Sequence, residues 1–196
     1  MVSLRWSQLG DIRIQGIYTG FSPDLSTGLT FGIKLPSGSY THNDAYGDVD
    51  RDTEIGTGST DALLGGFHRG YLTPEQAWGW FLQGTLDQPV LFRDGYRPGL
   101  EVDAAVGIHY NGWFIGNTQV TPIAQAIGSD RARDSGPNSA DPVASGYQRV
   151  LLSPGTEVNL HHLRLYADVE FPVYQYMTGN QLVAPVLLKF SASYHF

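Results

Sequence analysis

Residues 187–196 read LLKFSASYHF, with Leu188, Phe190, Ala192, Tyr194 and Phe196 apolar and Lys189, Ser191, Ser193 and His195 polar between them. Strict alternation marks a β-strand, whose successive side chains point to opposite faces of a sheet. An amphipathic helix would group its apolar residues three and four apart instead. The two-residue period returns in 25–35, where Leu25, Thr27, Leu29, Phe31, Ile33 and Leu35 alternate with Ser26, Gly28, Thr30, Gly32 and Lys34. It governs 98–110, with Leu100, Val102, Ala104, Val106, Ile108 and Tyr110 on one face, and 163–171, with Leu163, Leu165, Ala167, Val169 and Phe171.

Less regular strands over 2–7, 11–20, 59–71, 76–87, 114–127 and 147–160 complete a set of ten. Strand 59–71 is ambiguous in its facing, because Leu63, Leu64, Gly65 and Gly66 fit either side. The strands run about 9–13 residues, longer than the usual five or six. No repeat or boundary divides the chain, so residues 1–196 read as one domain.

The connections alternate in length. Tight turns are expected at Ser22-Pro23-Asp24, Thr73-Pro74-Glu75, Asn111-Gly112 and His161-His162. Longer polar loops are expected over 36–58, 88–97, 128–146 and 172–184. Sorted by end of the sheet, all the tight turns fall together and all the long loops fall opposite. Transmembrane β-barrels share this asymmetry. Prolines at 98, 122, 154 and 185 imply bulges, strand starts or inward loops.

Composition narrows the classes. A net charge of −7 with no Lys/Arg cluster argues against a nucleic-acid partner, and the absence of Cys excludes disulfides, thiolate metal sites and a Cys nucleophile. The longest apolar run, Val183–Leu188, falls far short of the roughly 20 residues of a membrane helix. No signal peptide precedes the first strand, which for an exported barrel implies an incomplete N-terminus.

Alternation alone fits two barrels, since a soluble lipocalin-like barrel is apolar inside and polar outside. Three features favour the membrane form. The strands match the length that crosses a bilayer when tilted. Aromatics gather at strand ends: Trp78, Trp80, Tyr110, Trp113, Phe114, Tyr194 and Phe196 near tight turns, Phe171 and Tyr96 toward the long loops. The polar face carries mixed charges suited to a narrow lumen. The expected fold is therefore all-β: an antiparallel up-and-down transmembrane β-barrel of about ten strands, twelve in the full-length protein. Closure would also remove edges that lipid cannot satisfy. The expected lumen lining is Arg13, Lys34, Glu101, Asp103, Arg149, Glu157, Arg164, Asp168, Glu170 and Lys189.

The ending LLKFSASYHF resembles the C-terminal assembly signal of bacterial outer-membrane barrels, carried here by Phe190, Tyr194 and Phe196. Further, GIKLPSGSY at 32–40 followed by IGTGSTDALLGG at 55–66 is similar to the "KLPTG … GTGSTD" pattern of the outer-membrane transporter family associated with the meta-pathway of phenol degradation. The resemblance covers residues 10–196. It implies a location in the bacterial outer membrane, contact with outer-membrane lipid and lipopolysaccharide, insertion by the barrel-assembly machinery, and a channel or transporter for small solutes, aromatic or apolar.

Other chemistry is weaker. Ser191, Ser193 and His195 share a strand, but no nucleophile elbow accompanies them, so the six His read as interfacial or turn residues and no enzyme is expected. Asp48 through Glu54 places acids at every second position, yet Thr53 stands where a calcium loop needs Gly and Ser59 where it needs Glu. GTGSTD lacks the Lys and helix of a phosphate loop. No cofactor or metal is expected. The two remaining function classes are a lipid-modifying barrel enzyme and a non-conducting structural or surface-interaction barrel.

Overall fold

The computed structural model describes residues 7–44, 47, 48, 51, 54–137, 144–181 and 183–195. The expected strand 2–7 lies outside them except for Ser7, which is irregular, and so does Phe196. The described chain is all-β without an α-helix, an antiparallel up-and-down sheet curled into a half-barrel.

The strands are β1 (Ile12–Tyr18), β2 (Thr27–Leu35), the small hairpin β3 (Asn43–Asp44) and β4 (Gly47–Asp48), then β5 (Thr60–Tyr71) and β6 (Trp78–Leu91). They continue as β7 (Glu101–Tyr110), β8 (Trp113–Ile115), β9 (Thr118–Arg131), β10 (Tyr147–Leu160), β11 (Leu163–Met177) and β12 (Leu187–Tyr194). The large sheet runs β1-β2-β5-β6-β7-β9-β10-β11-β12, with β8 on β9, and each neighbour pair is antiparallel.

Three expectations need correction. The barrel is not closed among the described residues, because the sheet ends at β1 and β12 without a ladder joining them. Both strands run from the long-loop end to the tight-turn end, so pairing them directly would be parallel. Second, Asn111-Gly112 is not the hairpin turn. β8 continues the line of β7 against β9, from His109↔Ile123 to Trp113↔Val120, and the pair 111–112 takes up a one-residue shift of register. The chain reverses at Gly116-Asn117, where Ile115 faces Thr118 and Gly116 has φ +61. Positive φ at the first central position is the type II′ geometry that matches strand twist. Third, β6, β9 and β11 run further than alternation suggested, to Leu91, Arg131 and Met177. Register shifts at Thr60/Asp61, opposite Pro89, and at Val150/Leu151, opposite Pro172, interrupt the period there. The extra residues are Val90 and Val173, each beside a proline; prolines 122 and 154 stay in register, while 98 and 185 precede the starts of β7 and β12.

The asymmetry of ends is retained. Segments 116–117 and 161–162 turn tightly and 19–26 and 72–77 stay short, whereas 36–59, 92–100, 132–146 and 178–186 gather at the other end. The faces are inside out relative to an ordinary soluble sheet. Leu29, Phe31, Leu64, Leu82, Val106, Leu152 and Phe190 stand exposed, Phe31 at 55%, while Lys34, Asp61, Thr121, Ser129, Ser153 and Asp168 are buried on the concave side. Strand β5 is no longer ambiguous: Leu63 is buried and Leu64 exposed.

Candidate binding wall on the concave face

Cross-strand partners point to the same face of a sheet, so the ladder registers fix which side chains line the concavity. Starting from buried Lys34 and Asp61, the ladders carry the face through Asp87, Glu101, Asp103, Ser129, Arg149, Asp168 and Lys189. All ten expected lining residues (Arg13, Lys34, Glu101, Asp103, Arg149, Glu157, Arg164, Asp168, Glu170 and Lys189) fall on it.

Toward the long loops the charges pair. Lys34 and Asp61, cross-strand partners 5% and 1% exposed, form an ion pair. Arg13 Nη2 lies 3.1 Å from Asp87 Oδ2, and Tyr147 Oη donates to Glu101 at 2.7 Å. Desolvated charges need such partners, because an unpaired one costs several kcal/mol.

The same end is tied down by loop contacts. Asp134 accepts from Tyr96 Oη at 2.5 Å, from Gly99 N at 2.7 Å and from Arg131 Nη2 at 2.9 Å, while Ser145 Oγ accepts from Asp134 N. Tyr96 is therefore a buried loop anchor rather than part of an aromatic rim. Arg51 sits 4.4 Å over the Tyr40 ring and 5.1 Å over the Tyr96 ring, joining loop 36–59 to loop 92–100.

Farther down the strands, Asp168 Oδ2 accepts from Tyr166 Oη (2.6 Å), Ser153 Oγ (2.9 Å) and Gln125 Nε2 (3.1 Å). Lys189 is its ladder partner, but the carboxylate is held by the neutral donors. Beside this hub, a cavity of about 280 Å³ is bounded by Asp103, Arg149, Glu170 and Lys189 over a floor of Ile127 and Leu151. Ser129 Oγ donates to Asp103 Oδ1 at 2.5 Å, and the Arg149 guanidinium lies 4.6 Å over the Tyr147 ring.

Near the tight turns a larger space of about 700 Å³ opens, edged by Arg69, His109, Glu157 and Arg164. Arg164 Nε stands 3.4 Å from Glu157 Oε1. Phe67 and Phe81 face inward here, each ring lying against a glycine of the adjacent strand, Gly28 and Gly107. The apolar-out rule hid these rings. Their signal was the missing side chains opposite them.

On the convex face, Trp78 and Tyr110 rings meet at 5.0 Å and Tyr110 and Trp113 at 6.3 Å, a cluster by the tight turns. Phe114 does not belong to it, since it pairs with Gln119 on the concave side. Phe190 and Tyr194 of the expected assembly signal are exposed and convex. In the acidic loop, residues 49, 50, 52 and 53 lie outside the described residues, and Glu54 is engaged by His42, whose Nδ1 is 2.5 Å away. Among the described residues no cluster of three His, Asp or Glu could hold a metal ion. No protein-family model, curated protein or solved structure matches this chain.

Proposed function

We propose that this chain forms the wall of a bacterial outer-membrane β-barrel that acts as a channel or transporter for small solutes, without catalysis. One observation carries the reading: the sheet exposes its apolar face and turns its charged residues to the concave side, where Lys34, Asp61 and Asp168 are buried. In water that arrangement leaves a large apolar surface unpaired, which soluble proteins avoid. Against hydrocarbon it is the favourable orientation, with aromatic side chains at the strand ends lying at headgroup level. Outer-membrane lipid and lipopolysaccharide are then the partners of the convex face. Exposed Phe190 and Tyr194 on β12 are what the barrel-assembly machinery would grip.

Lipid cannot hydrogen-bond a free strand edge, so this reading requires β1 and β12 to be covered. Because those two strands run in the same direction, antiparallel seams on both sides take an odd number of added strands. One gives a barrel of ten and three give twelve, both narrower than a porin.

Protein refolded into lipid and placed in a planar bilayer tests the function. Solute-dependent conductance or vesicle swelling is expected. A properly inserted protein that passes neither ions nor solutes would remove the transport reading, and a chain that stays monomeric in detergent-free buffer would remove the membrane one.

A further inference from the structure

Several of the concave charges have partners: Lys34 with Asp61, Arg13 with Asp87, Arg131 with Asp134 and Arg164 with Glu157 are ion-paired, and Glu101 and Asp168 accept from neutral donors. Asp103, Arg149, Glu170 and Lys189 surround one cavity of about 280 Å³, yet none of the four forms an ion pair among the described residues. The Nε of Arg149 is buried without any hydrogen-bond partner. Across the wall their signs alternate: Asp103 on β7, Arg149 on β10, Glu170 on β11 and Lys189 on β12. Asp103, Arg149 and Glu170 are half-buried and Lys189 is exposed at the cavity's edge, so charges of both signs remain available there to a solute that complements them.

We propose that this cavity is a binding site for a compact zwitterion, a solute carrying one carboxylate and one ammonium group. Arg149 and Lys189, both lining the cavity, take the carboxylate. Glu170 and Asp103 take the ammonium. Ile127 and Leu151 form an apolar floor for a short aliphatic side chain. Mixed charge selects against purely apolar solutes, which offer nothing to the charged groups, and against single ions, which complement only one sign. The site deepens the channel reading and rests on it for its biological sense, although binding is measurable without flux.

The probe is isotope-labelled alanine, measured by equilibrium dialysis against the refolded protein in detergent micelles, with propionate and ethylamine as its two singly charged halves. Saturable alanine binding is expected, at least about ten-fold tighter than either half. R149Q and E170Q should each weaken it about ten-fold or more, the worth of one charge-assisted hydrogen bond. E75Q, in the short segment between β5 and β6 and outside the cavity lining, should leave it unchanged. Each sample's fold is checked by circular dichroism. Halves that bind as well as alanine, natively folded protein that binds none of the three, or indifference to both R149Q and E170Q would overturn the proposal. Lack of conductance with alanine binding intact would instead count against the channel reading alone.

Discussion

Gly38 and Gly56 meet backbone to backbone: a Cβ placed on Gly56 would stand 2.5 Å from both the carbonyl carbon and the oxygen of Gly38. The two lie in separate stretches, LPSG and GTGSTD, and the fold clasps those stretches together. Asp11 Oδ1 accepts from Gly38 N at 2.9 Å and its Oδ2 from Thr57 N at 3.0 Å. Lys34 and Asp61 close the same clasp from within the sheet. The short glycine-rich motif is thus a structural fastening between β2 and β5 rather than a ligand loop.

Replacing Gly56 with Ala should therefore destabilise the protein by about 1–3 kcal/mol, the usual cost of overpacking. Gly128→Ala serves as the control, since nothing lies within 4 Å of its Cβ position. Gly128→Ala should be neutral or slightly stabilising through the unfolded chain. Urea unfolding from detergent micelles measures both, and equal losses would mean that the clasp carries no strain-sensitive contact.

Asp61→Asn should cost about 3–5 kcal/mol, because it strands the Lys34 ammonium in a site nearly without solvent. The double replacement Lys34→Met with Asp61→Leu should recover most of that loss, since it removes both charges and keeps comparable volume. A double-mutant cycle reads the coupling directly. A double variant as unstable as the single would show that the pair is not what holds Asp61 in place.

Strand existence was legible because one physical rule, apolar out and polar in, repeats along β2, β7, β11 and β12. The common face of the ten charged residues was legible too, since facing is fixed by period. What alternation could not supply was anything that breaks the period. The ladder shifts by a residue at Val90 and Val173, beside prolines 89 and 172, and Asn111-Gly112, a strong turn pair, is spent on a register shift while Gly116-Asn117 turns the chain. Partner choice was hidden for a different reason: Asp168 could have paired with Lys189 across the ladder, but Tyr166, Ser153 and Gln125 reach it first.

That hub predicts a graded response. Tyr166→Phe removes one of three donors to Asp168 and should cost about 1–2 kcal/mol. Asp168→Ala leaves the Tyr166, Ser153 and Gln125 donors facing one another and should cost more than Tyr166→Phe. Thermal unfolding followed by circular dichroism in micelles compares them; the reverse order would mean that the carboxylate is a liability the donors merely contain.

The turn before β2 predicts a pH effect. Asp24 accepts from Ser26 N at 3.2 Å, and hydrogen bonding by Ser26 and Ser22 holds its carboxyl below the ordinary value of 3.8. A lowered folded-state value means that the turn gains stability when the group is ionised and loses it as pH falls below 3.8 through the folded value. Protection of the Ser26 amide, relative to its intrinsic exchange rate, should therefore fall in that acid range, and Asp24→Asn should flatten the dependence. An unchanged acid response in the variant would assign the effect to another group.

The orientation of the faces gives the sharpest discrimination. Val106 is exposed at the middle of β7, with Leu82 and Ala126 as its ladder neighbours, while Gln15 on β1 shares the concave side with Gly32. In water both sites are surface, and a lysine at either should change stability by no more than about 0.5 kcal/mol. In a bilayer the two separate: Val106→Lys buries a charge near the midplane and should cost about 2–4 kcal/mol, whereas Gln15→Lys points toward the lumen and should stay near neutral. Unfolding from lipid vesicles measures the difference. Equal costs for the two lysines would mean that the apolar face meets water or another protein, and the concave charges would then have to be explained without a membrane around them.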